Sequence, residues 1–165
     1  MGKPDVAKAE ITKLAELRDK LSASKDAYWA EQVDIQRQIA TAWVLDAEGK
    51  HEEALKAMSA AADAEDRTEK HPVTPGVPTP ARELYGTMLL ERGMAKEALA
   101  AFEATLKKEP NRLGATIGAG AAAEKLGDPE KARQHYAAAT TLTENADPVR
   151  PQIEHARAFV ATSAR

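Results

Sequence analysis

Several residue types and segments are scarce or missing in this sequence of 165 residues. There is no cysteine, which excludes disulfide bonds, thiolate catalysis and cysteine-based zinc sites. Aromatic residues make up only 4% of the chain, so a core of alanine, leucine and a few rings predicts closely approaching helices. No run of about 18 apolar residues occurs, so we expect no membrane insertion. No basic block accompanies the net charge of -3, so we expect no nucleic-acid binding.

The N-terminus has no apolar signal core. A Met-Gly start that runs directly into a helical pattern indicates an excised fragment of a longer protein. We therefore expect a soluble chain of unknown compartment, either cytoplasmic or exported to the periplasm, because a signal peptide would lie outside the fragment.

Apolar residues recur at three- and four-residue spacing along most of the chain, and no segment alternates with period two. We therefore predict an all-α fold of about eight helices. One long helix ends at Gly49, a third runs from about His51 to Arg67, and the last starts near Asp147. The inward residues expected in the first helix are Val6, Ile11, Leu14, Leu17 and Leu21, and those in the last are Ile153, Ala156, Phe159 and Val160.

Four pairs of matching residues stand 34 positions apart, which indicates an internal repeat. The pairs are Gly86 and Gly120, Gly93 and Gly127, Ala98 and Ala132, and Phe102 and Tyr136. The first pair of glycines would let two helices approach, the second would close the turn between them, and the rings would fill the space beside the crossing. A weaker copy with Gly49, Ala54, Met58 and Ala61 lies 44 residues upstream of its counterparts.

This period and the Ala-x3-Phe spacing resemble the tetratricopeptide repeat (TPR) family. The resemblance implies antiparallel helix pairs stacked as a right-handed α-solenoid. The chain would then be one TPR-like domain over 1–165, with a flanking helix at 4–22, a degenerate repeat at 25–68, a Pro-rich insertion at 69–79, repeats at 80–112 and 113–146, and a capping helix at 147–163. The run 71–112 is also similar to the C-terminal part of longer bacterial TPR proteins of unassigned function.

The stretch TEKHPVTPGVPTP supplies the ten residues by which the upstream copy exceeds the period. It therefore falls between complete repeats. Two interpretations stay open: an extended spacer, or a segment that folds back over the groove and presents His71, Val73 and Val77.

No constellation of residues predicts a reaction. His51 is followed by two glutamates but lacks the second histidine of a zinc motif, and the glycine-rich GATIGAG stretch falls inside a predicted helix without a P-loop lysine. We expect no catalytic residue, no cofactor and no metal site.

The TPR resemblance implies that the first helix of each pair lines a concave groove. The groove-facing positions carried onto this sequence are Gln36, Ile39, Trp43, Asp46, Glu83, Thr87, Leu90, Glu91, Ile117, Ala121, Glu124 and Lys125. Such a groove would be mixed apolar and acidic, suiting a partner with an apolar anchor and a basic residue. The alternative for Ile39 and Trp43 is burial against neighbouring helices.

These observations predict a non-catalytic scaffold that binds a peptide or protein segment of unknown identity. Two alternatives stay open. The chain could self-associate through its repeat ends, or it could regulate an enzyme encoded in a missing upstream part.

Overall fold

The computed structural model describes residues 4–69, 77–146 and 150–162, and within these ranges it contains eight helices and no strand. The all-α, TPR-like fold class is confirmed. The helices are α1 (Pro4–Ala23), α2 (Ala27–Ala47), α3 (His51–Arg67), α4 (Ala81–Glu91), α5 (Ala95–Lys108), α6 (Leu113–Lys125), α7 (Pro129–Leu142) and α8 (Pro151–Thr162).

The chain divides into two compact units, Met1–Arg82 and Glu83–Arg165. In unit 1, α2 packs against both α1 and α3. In unit 2, which includes most of α4, α6 packs against α5 and α7, and α8 packs on α7 and touches α6.

Three turns between paired helices have the same geometry. Gly49, Gly93 and Gly127 follow the first helix of each pair with φ of +81°, +76° and +71°, a left-handed conformation that glycine adopts without strain. The next residue then donates its backbone N–H to a carbonyl five positions earlier, at 2.9–3.0 Å. The donor and acceptor pairs are Lys50 and Leu45, Met94 and Leu89, and Asp128 and Ala123. The turn of the weak upstream copy thus has the same geometry as the turns of the two later copies.

The second helix of each pair begins its packing with a fully buried alanine. Ala54, Ala98 and Ala132 are each 0% exposed. One turn later the buried side chains are Met58, Phe102 and Tyr136. These positions therefore play the roles that the spacing predicts. In addition, Asp128 caps the N-terminus of α7, because its side chain accepts from the Lys131 N–H at 3.0 Å.

The Phe102 ring lies against helix backbone on two sides. A Cβ added to Gly86 of α4 would come within 2.9 Å of the ring, and one added to Gly118 of α6 would overlap it. Phe102 itself is only 2% exposed, so the ring has little room to move aside. Glycine at 86 and 118 thus lets α4 and α6 close around one aromatic side chain.

Tyr136 repeats this arrangement one period later. A Cβ on Gly120 would lie 2.6 Å from its ring, and α8 supplies the remaining neighbours. The ring centroids of His155 and Phe159 lie 5.5 Å and 5.2 Å from that of Tyr136, both in edge-on geometry. Helix α8 begins at Pro151, whereas the predicted start at Asp147 lies outside the described residues.

Two side chains on α1 do not face inward as predicted, since Val6 is 56% and Leu17 is 46% exposed. The packed side of α1 instead includes the half-buried Arg18, and the exposed Lys8 adds an ion pair to the end of α2. Arg18 bonds to Asp34 of α2 at 3.0 Å, and Lys8 pairs with Glu48 after α2 at 2.5 Å. In α8, Ile153 and Ala156 are buried as predicted, while Phe159 and Val160 are half-buried.

We predict that Gly118→Ala lowers the free energy of unfolding by about 1–3 kcal/mol, because the new methyl group overpacks the Phe102 ring. In a Phe102→Leu background the same change should be neutral or stabilising by up to about 1 kcal/mol, since alanine favours helix over glycine. Urea denaturation of the four proteins measures both effects. A stabilising Gly118→Ala change in the wild-type background would show that the ring does not fill this site.

Candidate functional site

The predicted groove residues of α2 divide between the core and the surface. Ile39 is 7% exposed and belongs to the core. Gln36 is exposed, while Trp43 and Asp46 are half-buried. Asp46 accepts a hydrogen bond from His51 Nδ1 at 3.0 Å when that nitrogen carries the proton. The structure thus leaves Gln36 and Trp43 facing outward on one side of α2, seven residues apart.

A second tryptophan extends this outward face of α2. Trp29 lies seven residues before Gln36 and is 40% exposed, and the Tyr28 ring packs edge-on against it at 5.1 Å. The α2 face is defined here as Trp29, Val33, Gln36, Ala40 and Trp43, which follow each other at four- and three-residue spacing. It is apolar at four of these five positions. The seven-residue spacing of Trp29, Gln36 and Trp43 is the feature of the sequence that could have placed Trp29 on this face.

The opposite side of α2 carries a closed ionic cluster. Asp34 accepts hydrogen bonds from Arg18 at 3.0 Å, Arg37 at 2.7 Å and Gln38 at 2.6 Å. Partial burial alone would raise the pKa of Asp34, but these hydrogen bonds outweigh it and lower the pKa. An open cleft of about 350 Å³ borders the cluster. Because three donors already satisfy Asp34, its charge serves mainly to hold α1 against α2.

Glu83 of α4 is also engaged internally. It is 8% exposed and accepts from Arg112 Nε at 2.8 Å, while Arg112 also reaches Glu109 at 3.2 Å. A Cβ on Gly114 would collide with the Glu83 carboxylate, so the carboxylate sits directly over the first turn of α6. Glu83 therefore joins α4 to α6, where a carboxylate near a helix N-terminus is favourable.

The other predicted positions of α4 and α6 differ in exposure. Glu91 and Lys125 are exposed, and the half-buried ones are Thr87, Leu90, Ile117, Ala121 and Glu124. Lys125 donates to the Leu90 carbonyl at 3.3 Å. The C-terminal ends of α4 and α6 thus lie side by side, as their N-terminal ends do at Glu83.

Glu124 links three helices. Its Oε2 atom accepts from the Tyr136 hydroxyl of α7 at 2.8 Å and lies 2.8 Å from His155 Nε2 of α8. Partial burial alone would raise the pKa of Glu124, but the hydrogen bonds from His155 and Tyr136 outweigh it and lower the pKa. Burial, together with the bond to Glu124, raises the pKa of Tyr136. Glu124 thus joins α6 to both α7 and α8.

The candidate loop residues His71 and Val73 lie outside the described residues, and Val77 is half-buried. The residues that flank the Pro-rich insertion contact each other, because the end of α3 is bonded to the start of α4. Glu65 of α3 is buried and accepts from the Ala81 N–H at 2.6 Å.

Beside this contact, Arg82 donates to Asp63 at 2.6 Å and to Asp66 at 2.6 and 2.9 Å. Glu65 therefore caps the N-terminus of α4, and the ion pairs fix the same junction.

Among the residues that the structure describes, no group of three or more His, Asp or Glu side chains could hold a metal ion. Within the same ranges no helix combines the length and apolarity needed to cross a membrane. The described histidines each lie near one carboxylate: His51 near Asp46, His135 near Glu103 at 3.7 Å, and His155 near Glu124.

The glycine-closed helix pairs and the buried Ala and ring positions define a helical repeat fold of the TPR type. No known family profile matches the chain, and no curated protein matches it in sequence.

Two solved structures of TPR-repeat proteins show the same fold. PcrH from Pseudomonas aeruginosa is 15% identical with a TM-score of 0.61, over 80% of this chain and 92% of PcrH. MamA, from residue 41 to its end, from Desulfovibrio magneticus RS-1 is 14% identical with a TM-score of 0.55, over 99% of this chain and 95% of the other.

We predict that Glu65→Ala lowers the free energy of unfolding by about 1–3 kcal/mol, because it leaves a buried N–H of α4 without its acceptor. Asp63→Asn is the matched control, since Asp63 is 55% exposed in its side chain and should change stability by less than about 1 kcal/mol. Thermal and urea unfolding measure both. Equal effects of the two substitutions would contradict a capping role for Glu65.

Proposed function

We propose that the chain is a non-catalytic interaction module that binds a peptide or protein segment through the outward faces of its first helices. The α2 face carries this proposal. It places two tryptophans, one of them 40% exposed, on a helix that is already packed on both flanks by α1 and α3. Exposed aromatic residues on a fixed helix lose little entropy on binding and are the commonest anchors of interfaces.

The partner segment should bring an apolar anchor to this face. Val33 and Ala40 lie between the tryptophans and are half-buried, on either side of the exposed Gln36, so most of the surface between the two rings is apolar. Among the groove positions of unit 2, taken by itself, Glu91 is an exposed carboxylate, whereas Glu83 and Glu124 accept internal hydrogen bonds.

Self-association through repeat ends has less support. The outward side of α8 carries the exposed polar residues Gln152 and Glu154. The outward side of α1 has Val6 and Leu17 exposed, but the Glu10 and Lys13 ion pair lies on the same helix surface. Neither terminal helix therefore offers a continuous apolar surface of the kind that stable interfaces use.

We predict that Trp29→Ala weakens binding of the partner about 30-fold or more, the loss typical of an aromatic anchor. The partner would be captured from lysate on the full chain, identified by mass spectrometry, purified and titrated calorimetrically. The control is Leu142→Ala, which removes an apolar side chain of similar exposure (42%) from α7.

Retention of affinity by Leu142→Ala and its loss by Trp29→Ala would support the α2 face as the site. Equal affinity of both variants and wild type, or no partner retained by the wild-type chain, would overturn the proposal.

A further inference from the structure

Helix α8 is attached to unit 2 by a small set of contacts. Its buried side chains are Ile153 and Ala156, and Phe159 adds an edge-on ring contact with Tyr136. Polar contacts add to these buried groups. Arg157 donates to the Thr143 carbonyl at 2.9 Å, and His155 meets Glu124 at 2.8 Å. A helix held by so few buried groups is a local unit that can open before the rest of the fold.

One acceptor atom serves both α7 and α8 at this contact. In the part of the chain that the structure describes, the titratable groups bonded to the Glu124 carboxylate are Tyr136 from α7 and His155 from α8. The adjacent Lys125 is directed to the Leu90 carbonyl instead. The other charged contact of α8, from Arg157, ends on a backbone carbonyl, which does not titrate.

We infer that α8 is an acid-releasable cap, in which protonation of Glu124 breaks the bond to His155, frees α8 from α6 and α7, and exposes Tyr136. A protonated carboxyl group no longer provides the charged acceptor that makes such a bond strong.

The direction of the pH dependence follows from the lowered pKa of Glu124. Partial burial alone would raise this pKa, but the hydrogen bonds from His155 and Tyr136 lower it in the docked state. The contribution of Glu124 is therefore fully present above the ordinary carboxyl pKa and is lost as the pH falls through the docked-state pKa. Protonation does not weaken α6 itself, because Glu124 lies in its last turn, where a negative charge is unfavourable.

Release of α8 would also change the candidate binding surface. Glu124 is one of the predicted groove positions, and its carboxylate is bonded to His155 of α8. An opened α8 would leave this carboxyl group and the Tyr136 hydroxyl to a partner. This consequence rests on the proposed function, whereas the release of α8 does not.

Hydrogen exchange of the full chain, followed by mass spectrometry, tests the release without any partner. The measured quantity is the protection of α8 amides relative to α5 amides, corrected for intrinsic exchange, from about pH 6 to about pH 3.5. We expect this ratio to fall about fivefold in the wild type, a modest factor because the Glu124 side chain is 36% exposed. In Glu124→Gln the ratio should already be low at pH 6 and should no longer depend on pH.

Two further variants complete the test. Glu154→Gln removes an exposed carboxylate from α8 itself and should leave the wild-type pH dependence unchanged. His155→Ala keeps Glu124 intact and should lower the α8 ratio at pH 6 by a similar factor. This variant tests the same contact if Glu124→Gln folds poorly.

Equal protection of α8 in wild type and His155→Ala at pH 6 would overturn the inference. So would a loss of protection in acid that is the same for α8 and α5, since it would indicate global unfolding. Because no partner is present, neither result depends on the outcome of the capture experiment for the proposed function.

Discussion

The packing of unit 2 depends on aromatic rings that rest on helix backbone. Phe102 lies between Gly86 and Gly118, and Tyr136 lies on Gly120. Each ring replaces the side chain that its neighbouring helix lacks, so the helices approach closely while the interior stays filled. Gly86 and Phe102 recur after 34 residues as Gly120 and Tyr136, which explains why the period is visible in the sequence. In unit 1 the small residue is Ala42 and the large one Met58, both 0% exposed.

The residues on either side of the Pro-rich insertion are held together by hydrogen bonds between α3 and the start of α4. Glu65 satisfies the first backbone donor of α4, and Arg82 reaches back to two carboxylates of α3. Interpretation of the insertion as spacer or as groove cover stays a prediction, because His71 and Val73 lie outside the described residues.

The repeat positions could be predicted from sequence because each depends on a local constraint. A left-handed turn favours glycine, and a close crossing favours a small residue such as alanine, so Gly93, Gly127, Ala98 and Ala132 were identifiable by spacing. The predicted inward face of α1 was wrong at Val6 and Leu17, which are exposed, whereas Arg18 packs toward α2 and bonds to Asp34.

The candidate site was harder to predict, since its contacts join distant parts of the chain. Glu83 meets Arg112 across 29 residues, and Glu124 meets His155 across 31. No local pattern records such pairs, so both glutamates were expected to face a groove although they hold helices together. Trp29 differs, because its spacing from Trp43 was visible but fell outside the family positions.

The contact of the Phe102 ring with Gly86 and Gly118 can be tested directly in the unmodified chain by the NMR chemical shifts of the glycine α-protons. Protons held over an aromatic ring are shifted by its field, so the α-protons of Gly86 and Gly118 should resonate well upfield of those of Gly49 and Gly93. Both should also show nuclear Overhauser contacts to the Phe102 ring. Unshifted α-protons at Gly86 and Gly118, without contacts to this ring, would contradict the account.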